Sequence, residues 1–159
     1  MKKIFLIALF FSQLLLNGCG YTPLFSSKEI NIKIEDYSFT GNQDLGNEIY
    51  SQLIQLVKPS ENARMVNLTI STSQKKSTKS KTRTGKDTEY KITIDSEIKI
   101  VDYFSNDLLF NRKITLSESY KVQNQSSETE QSKKATIKNM IDRISQTFLF
   151  EISDKMSSL

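Results

Sequence analysis

Between Tyr90 and Ile100 the apolar residues fall on even positions, at Tyr90, Ile92, Ile94, Ile98 and Ile100, with Lys91, Thr93, Asp95, Glu97 and Lys99 between them. A period of two over that length commits the segment to a strand with one buried and one wet face, because successive side chains leave an extended backbone on opposite sides. Ile30, Ile32 and Ile34 repeat the alternation upstream, and so do Val66, Leu68 and Ile70. A fourth strand is marked by Phe110, Ile114, Leu116, Tyr120 and Val122, just after the turn signal Asn106-Asp107. The last three strands follow one another closely, so an antiparallel meander is the simplest pairing. Such a sheet can keep one face in water.

Two stretches change period. From Gln43 to Val57, Leu45, Ile49, Leu53 and Leu56 share one helical face, and Lys58-Pro59 is expected to end that helix. Toward the C-terminus, Ile137, Ile141, Ile144, Phe148 and Ile152 form an apolar stripe that Met140, Leu149 and Met156 widen. Ser127 and Glu130 have capping-box spacing at the start of this second helix. The expected fold class is α+β, in the order β-α-β-β-β-α. Two helices would pack on one face of a four-stranded, mainly antiparallel sheet. Residues 29–159 are read as a single domain.

The first eighteen residues follow a different logic. Lys2 and Lys3 precede an apolar run from Ile4 to Leu16. That run is about 13 residues, against the roughly 20 that a bilayer-spanning helix needs. A charged start, a short apolar centre and a small residue at the break mark a secretory signal peptide over residues 1–18. Leu16-Asn17-Gly18-Cys19 resembles the lipobox cut by the bacterial lipoprotein signal peptidase, with Asn17 at a position usually held by a smaller or β-branched residue. The plainer alternative is an ordinary signal peptide or uncleaved anchor with an incidental cysteine. Lipidation is favoured because Cys19 is the only cysteine in the chain. Diacylglycerol and an N-acyl chain on Cys19 are then expected as the sole covalent additions, and two or more chains anchor stably where one does not. Gly20, where an Asp favours inner-membrane retention, points toward the outer membrane. Residues 19–28 form the lipidated N-terminus and linker.

Charge excludes little more than nucleic acid. The chain has 22 Lys and Arg against 18 Asp and Glu, which fall to 20 against 18 once Lys2 and Lys3 leave with the signal. With no histidine in the sequence, there can be no Ser-His-Asp triad, no Cys-His pair and no His-based zinc site. No metal or cofactor and no enzymatic activity is expected. A hydrolase built on two carboxylates is the remaining catalytic alternative.

One segment stands out. KKSTKSKTRTGK, residues 75–86, carries Lys75, Lys76, Lys79, Lys81, Arg83 and Lys86 with no acid and no large apolar residue. Its Ser and Thr spacers suit the two flanking strands extended into a long hairpin turning near Gly85. Six like charges repel one another unless an anion meets them. The functional reading is a contact with phosphates of a lipid or with another polyanion. The bland reading is a solvated turn that discourages edge pairing.

Cys19-Gly20-Tyr21, followed after one residue by Pro23-Leu24-Phe25, resembles the opening of alphaproteobacterial members of the lipopolysaccharide-assembly lipoprotein family, LptE. The element order over residues 29–156 is similar to that family's fold. The resemblance implies an outer-membrane lipoprotein, lipid-anchored on the periplasmic side. It implies a domain that plugs and helps assemble an LptD-like β-barrel and assists delivery of lipopolysaccharide to the outer leaflet. The partners it implies are that barrel, lipopolysaccharide and the membrane. The alternative is a freestanding periplasm-facing lipoprotein that binds anionic lipid or another envelope partner.

Overall fold

The structure, a computed structural model, describes residues 30–55 and 57–156. The signal segment, Cys19 and the linker of the sequence analysis lie outside the described residues, as does Leu56. The elements are β1 (Ile32–Gly41), α1 (Gln43–Ile54), β2 (Arg64–Lys81), β3 (Asp87–Asp102), β4 (Leu108–Lys121) and α2 (Ser126–Met156). They form one four-stranded sheet in the order β1-β2-β3-β4. Strands β2 to β4 are the expected antiparallel meander, and β1 joins as a parallel edge strand beside β2. The expected α+β class and β-α-β-β-β-α order are both found.

The even-numbered isoleucines set the core. Ile92, Ile94, Ile98 and Ile100 of β3 and Val66 and Ile70 of β2 are fully buried or nearly so. Register aligns Leu68 with Ile100 and Ile70 with Ile98, so these side chains form a continuous apolar sheet face. Met140, Ile141, Ile144, Phe148, Leu149 and Ile152 of α2 lie in the same cluster, with Leu45, Ile49 and Leu53 of α1. Each such side chain removed from water contributes about 1.5–3 kcal/mol. Both helices pack on one face and on each other; Gln52 Nε2 donates to Asp142 Oδ1 across their contact at 2.8 Å.

Strand β1 extends beyond the expected Ile30–Ile34 alternation. A bulge at Glu35 shifts its phase: Ile34 pairs with Val66, but Asp36 pairs with Asn67. Tyr37 and Phe39, at odd positions, therefore replace the even isoleucines on the helix side. Tyr37 stacks on Tyr50 of α1 with ring centroids 4.4 Å apart, and Phe39 meets the same ring edge-on at 5.9 Å. Ile30 forms an isolated parallel bridge with Val57, outside the strand proper.

Both helix boundaries differ from expectation. Helix α1 stops at Ile54, short of Lys58-Pro59, and Val57 is taken up by its bridge to Ile30 instead of extending the helix. Ser127 lies inside α2 and its capping box does not form. Thr129 Oγ1 takes over at that end, accepting from the Gln123 N–H at 2.9 Å and donating to the Gln125 carbonyl at 3.2 Å. At the other helix the start is conventional, with the Asn42 side chain accepting from the Leu45 N–H at 3.2 Å.

Gly41 makes the turn from β1 into α1 possible. Its φ is +80°, and a Cβ there would sit 2.0 Å from the Thr72 carbonyl oxygen. That carbonyl accepts from the Asn42 N–H at 2.9 Å, so it is not free to move aside. Replacing Gly41 with Ala is expected to lower the unfolding free energy by roughly 2 kcal/mol or more. Gly85 also has a positive φ, of +86°, but open space around its missing side chain. Gly85→Ala should therefore cost only about 1 kcal/mol. Urea unfolding of the two variants, read by far-ultraviolet circular dichroism, checks the order.

Candidate functional site

The basic segment folds as the expected hairpin. Strand β2 runs to Lys81, the chain turns over residues 82–86, and β3 returns from Asp87. The Thr82 N–H donates to the Lys86 carbonyl at 2.7 Å, and the Gly85 N–H to the Thr82 carbonyl at 2.9 Å, which closes the turn. Two register shifts lie here: the one at 78–80 makes room for Lys79 as an extra residue on β2, and the one at 80–81 for Thr88 on β3. Because β1 ends opposite Thr72, residues 73–81 form an open sheet edge. The lysines on that edge repel a further strand.

All six predicted basic side chains are exposed, and they are not equivalent. Lys79 Nζ lies 2.9 Å from Glu89 Oε1 and 3.0 Å from Ser119 Oγ. Lys81 Nζ lies 3.8 Å from Asp87 Oδ1. Lys76 Nζ sits 3.7 Å over the Tyr90 ring. Lys75, Arg83 and Lys86 have no ion pair among the described residues. The unrelieved repulsion expected within the segment is thus partly cancelled by the acids of the returning strand. Two cations outside the segment join it unforeseen, since register places Lys91 opposite Ser77 and Lys121 opposite Glu89. Counting pairs outward from Gly85 finds Lys91, whereas Lys121 comes from β4 through the register of the second hairpin.

The second candidate surface is the sheet face turned away from the helices. It carries hydroxyls and charges on three neighbouring strand pairs. Ser38 and Thr69 hydroxyls approach to 3.1 Å, and Thr40 Oγ1 donates to Ser71 Oγ at 2.6 Å. Thr115 Oγ1 donates to Asp95 Oδ1 at 2.6 Å, and Thr93 and Ser117 hydroxyls meet at 2.8 Å. Ser119 Oγ donates to Glu89 Oε1 at 2.7 Å. The hydrogen bond from Thr115 is the main reason that the Asp95 carboxyl lies below its usual range. Ser73 Oγ also donates to Asp95 Oδ2 at 3.4 Å, so residues of all four strands contribute separate cross-strand hydrogen bonds to one polar face.

Among the described residues no group of three or more Asp, Glu, His or Cys side chains could hold a metal ion. No described helix is long and apolar enough to cross a membrane.

Comparison with known proteins gives a fold and no sequence family. No family model matches the chain, and no curated protein matches it. Solved structures do match. Rare lipoprotein B from Shewanella oneidensis is 15% identical with a TM-score of 0.55, over 77% of this chain and 97% of that one. Uncharacterized lipoprotein B from Nitrosomonas europaea is 14% identical with a TM-score of 0.64, over 82% and 88%. A minor lipoprotein from Acinetobacter baumannii is 20% identical with a TM-score of 0.52, over 76% and 91%. The chain shares the fold of these lipoproteins.

Lys79 and Glu89 give a direct check on the hairpin. The hydrogen bond from Lys79, then that from Ser119, holds the Glu89 carboxyl below its ordinary 4.5. A carboxyl lowered on folding contributes stability above its unfolded value, and that contribution is lost as pH falls through the folded value. Carbon-detected NMR titration should place the Glu89 midpoint below 4.5, and Lys79→Ala should move it back toward 4.5.

Proposed function

We propose that this chain is an outer-membrane lipoprotein, acylated at Cys19 and held on the periplasmic side, whose domain plugs the lumen of an LptD-like β-barrel. In that place it helps the barrel assemble and assists passage of lipopolysaccharide to the outer leaflet. The observation that carries the reading is the hydroxyl-lined sheet face, where separate cross-strand side-chain hydrogen bonds range from the Ser38–Thr69 pair to the Ser119–Glu89 pair. A surface of this kind suits the water-lined wall of a barrel and would be wasted against a dry partner. The lipobox and the fold shared with several lipoproteins support the same reading.

The two ends of the sheet add to it. β1 begins opposite Arg64, at one end of β2, and the basic hairpin closes the other end. β2 has 18 residues, which at about 3.3 Å each span on the order of 50 Å after twist and bulges. The hydrocarbon core of a bilayer is about 30 Å thick. A domain tethered at the inner leaflet would therefore carry its hairpin through the lumen to the level of the outer leaflet. Lys75, Lys76, Arg83 and Lys86 would meet lipopolysaccharide phosphates there, joined by Lys91 and Lys121. Lys79 and Lys81, already paired, would contribute less.

Cys19→Ser should release the protein from membranes, and persistent membrane retention would refute the anchor. Mild detergent extraction of the native protein should bring down a stoichiometric partner that stays folded on an unheated gel; a monodisperse lone lipoprotein would favour the freestanding alternative. Replacing the six basic residues of 75–86 with Ser should weaken lipopolysaccharide binding at least tenfold at low salt, since each cation near an anionic surface is worth about 1 kcal/mol. The salt dependence should flatten in parallel. Arg83→Ser should cost more than Lys79→Ser, and equal losses would mean that the internal pairs do not matter.

A further inference from the structure

Half of the exposed large apolar side chains among the described residues gather on one turn, between β3 and β4. Tyr103 is 44% exposed, Phe104 77% and Leu108 58%. Tyr37, Ile54 and Phe150, the others, belong to separate elements. This turn is firmly built. Asp102 Oδ1 accepts from the N–H groups of Phe104 and Ser105 at 3.0 and 3.1 Å, and its Oδ2 accepts from Arg64 Nε at 2.8 Å. The Asp102 N–H reaches the Asp107 carbonyl at 2.9 Å, and the Tyr103 N–H reaches the Met65 carbonyl at 3.0 Å. Asn106 adopts a φ of 59°, which Asn tolerates better than most residues. A turn with this many internal bonds holds Phe104 out in solvent when it could have folded the ring inward.

Its place in the fold identifies what it meets. Ile32 pairs with Arg64, and Val66 pairs with Asp102, so the first described residues and the aromatic turn share one end of the sheet. Strands β1 and β3 are separated by β2 alone, which puts the two about 10 Å apart. Ten residues lie between Cys19 and Ile30, a tether that spans at most about 38 Å. The tether confines this end near the lipid but does not fix how the domain tilts. Tyr settles at the headgroup level of a bilayer, and exposed Phe and Leu reach the headgroup–acyl boundary just beneath it.

We infer that the Tyr103-Phe104 turn, with Leu108, is a second membrane contact that inserts into the zwitterionic phospholipid surface beside the N-terminal anchor and sets the tilt of the domain. Asp107 beside the tip makes a neutral headgroup layer a better seat than an anionic one. The inference rests on the N-terminal attachment proposed above, whether made by acyl chains on Cys19 or by the uncleaved run 4–16, because both deliver the same end to lipid.

The chain has no tryptophan, so Phe104→Trp supplies a single reporter at an exposed position. The full chain carrying it is reconstituted with phosphatidylcholine vesicles and floated on a density gradient. Emission from the Phe104→Trp chain should shift to the blue, and lipids brominated on the acyl chain should quench it. Thr84→Trp, at the opposite end, should emit as in water and escape quenching, and Leu108→Trp should behave as Phe104→Trp does. A floating Phe104→Trp chain whose indole emits as in water overturns the inference and leaves the anchor intact. Blue-shifted emission without bromolipid quenching overturns it too, because protein, such as a second copy, would then cover the tip. Equal quenching at positions 84 and 104 overturns the proposed orientation. A chain that does not float overturns both the inference and the anchor.

Discussion

The burial of one isoleucine-rich sheet face beneath two helices governs this molecule. Phe148 and Ile144 of α2 are completely buried against a sheet whose central strand supplies Ile92, Ile94, Ile98 and Ile100. Period-two alternation leaves no freedom about what happens on the reverse side. Once the even positions of β3 from Ile92 to Ile100 are dry, the odd ones between them must face away, and Thr93, Asp95 and Glu97 are what the sequence places there. The polar surface proposed to face a barrel lumen is thus the obligatory reverse of the core. Selection could then tune its hydroxyls and charges without touching the packing.

How much of this was legible depended on whether a signal was local. The parity of the isoleucines is local, and with it came the strands, the meander and the wet face. The hairpin at Gly85 was legible for the same reason, since glycine at a positive φ and flanking Ser/Thr alternation are near neighbours in the chain. What sequence reading missed was settled across distance. The extra residue Glu35 looks like an end to alternation, yet Tyr37 and Phe39 resume it in the opposite phase because Tyr50 of α1 offers a ring to pack on. The end of α1 was hidden because Val57 is claimed by Ile30, nearly thirty residues away. Thr129 displaced Ser127 at the start of α2 because the Gln123 N–H, on the strand side, needed an acceptor. The candidate site divides in the same way. Six cations could be read off residues 75–86, but their internal pairing with Asp87 and Glu89, and the addition of Lys91 and Lys121, required the register.

Charge in the hairpin is better described as graded than as a uniform patch. Each partner on β3 withdraws one lysine from the field, and Tyr90 holds another over its ring. The cations without an internal acid cluster toward the turn and the open edge, where an incoming phosphate need displace no existing bond. The same edge is protected from strand addition by its charges, so under the proposed function one set of side chains would serve solubility and recognition together.

Strand β2 outlasts its parallel neighbour: β1 accompanies it for nine pairs and stops at Gly41, while β2 continues to Lys81. It runs from the end of the sheet where Ile32 pairs with Arg64 to the end where the cations sit. With β3 bonded along almost its whole length it acts as a stiff lever. Over an arm on the order of 50 Å, a rocking of about 10° at the Arg64 end sweeps the far tip through roughly 9 Å. Small changes in posture at one boundary are thereby magnified at the other.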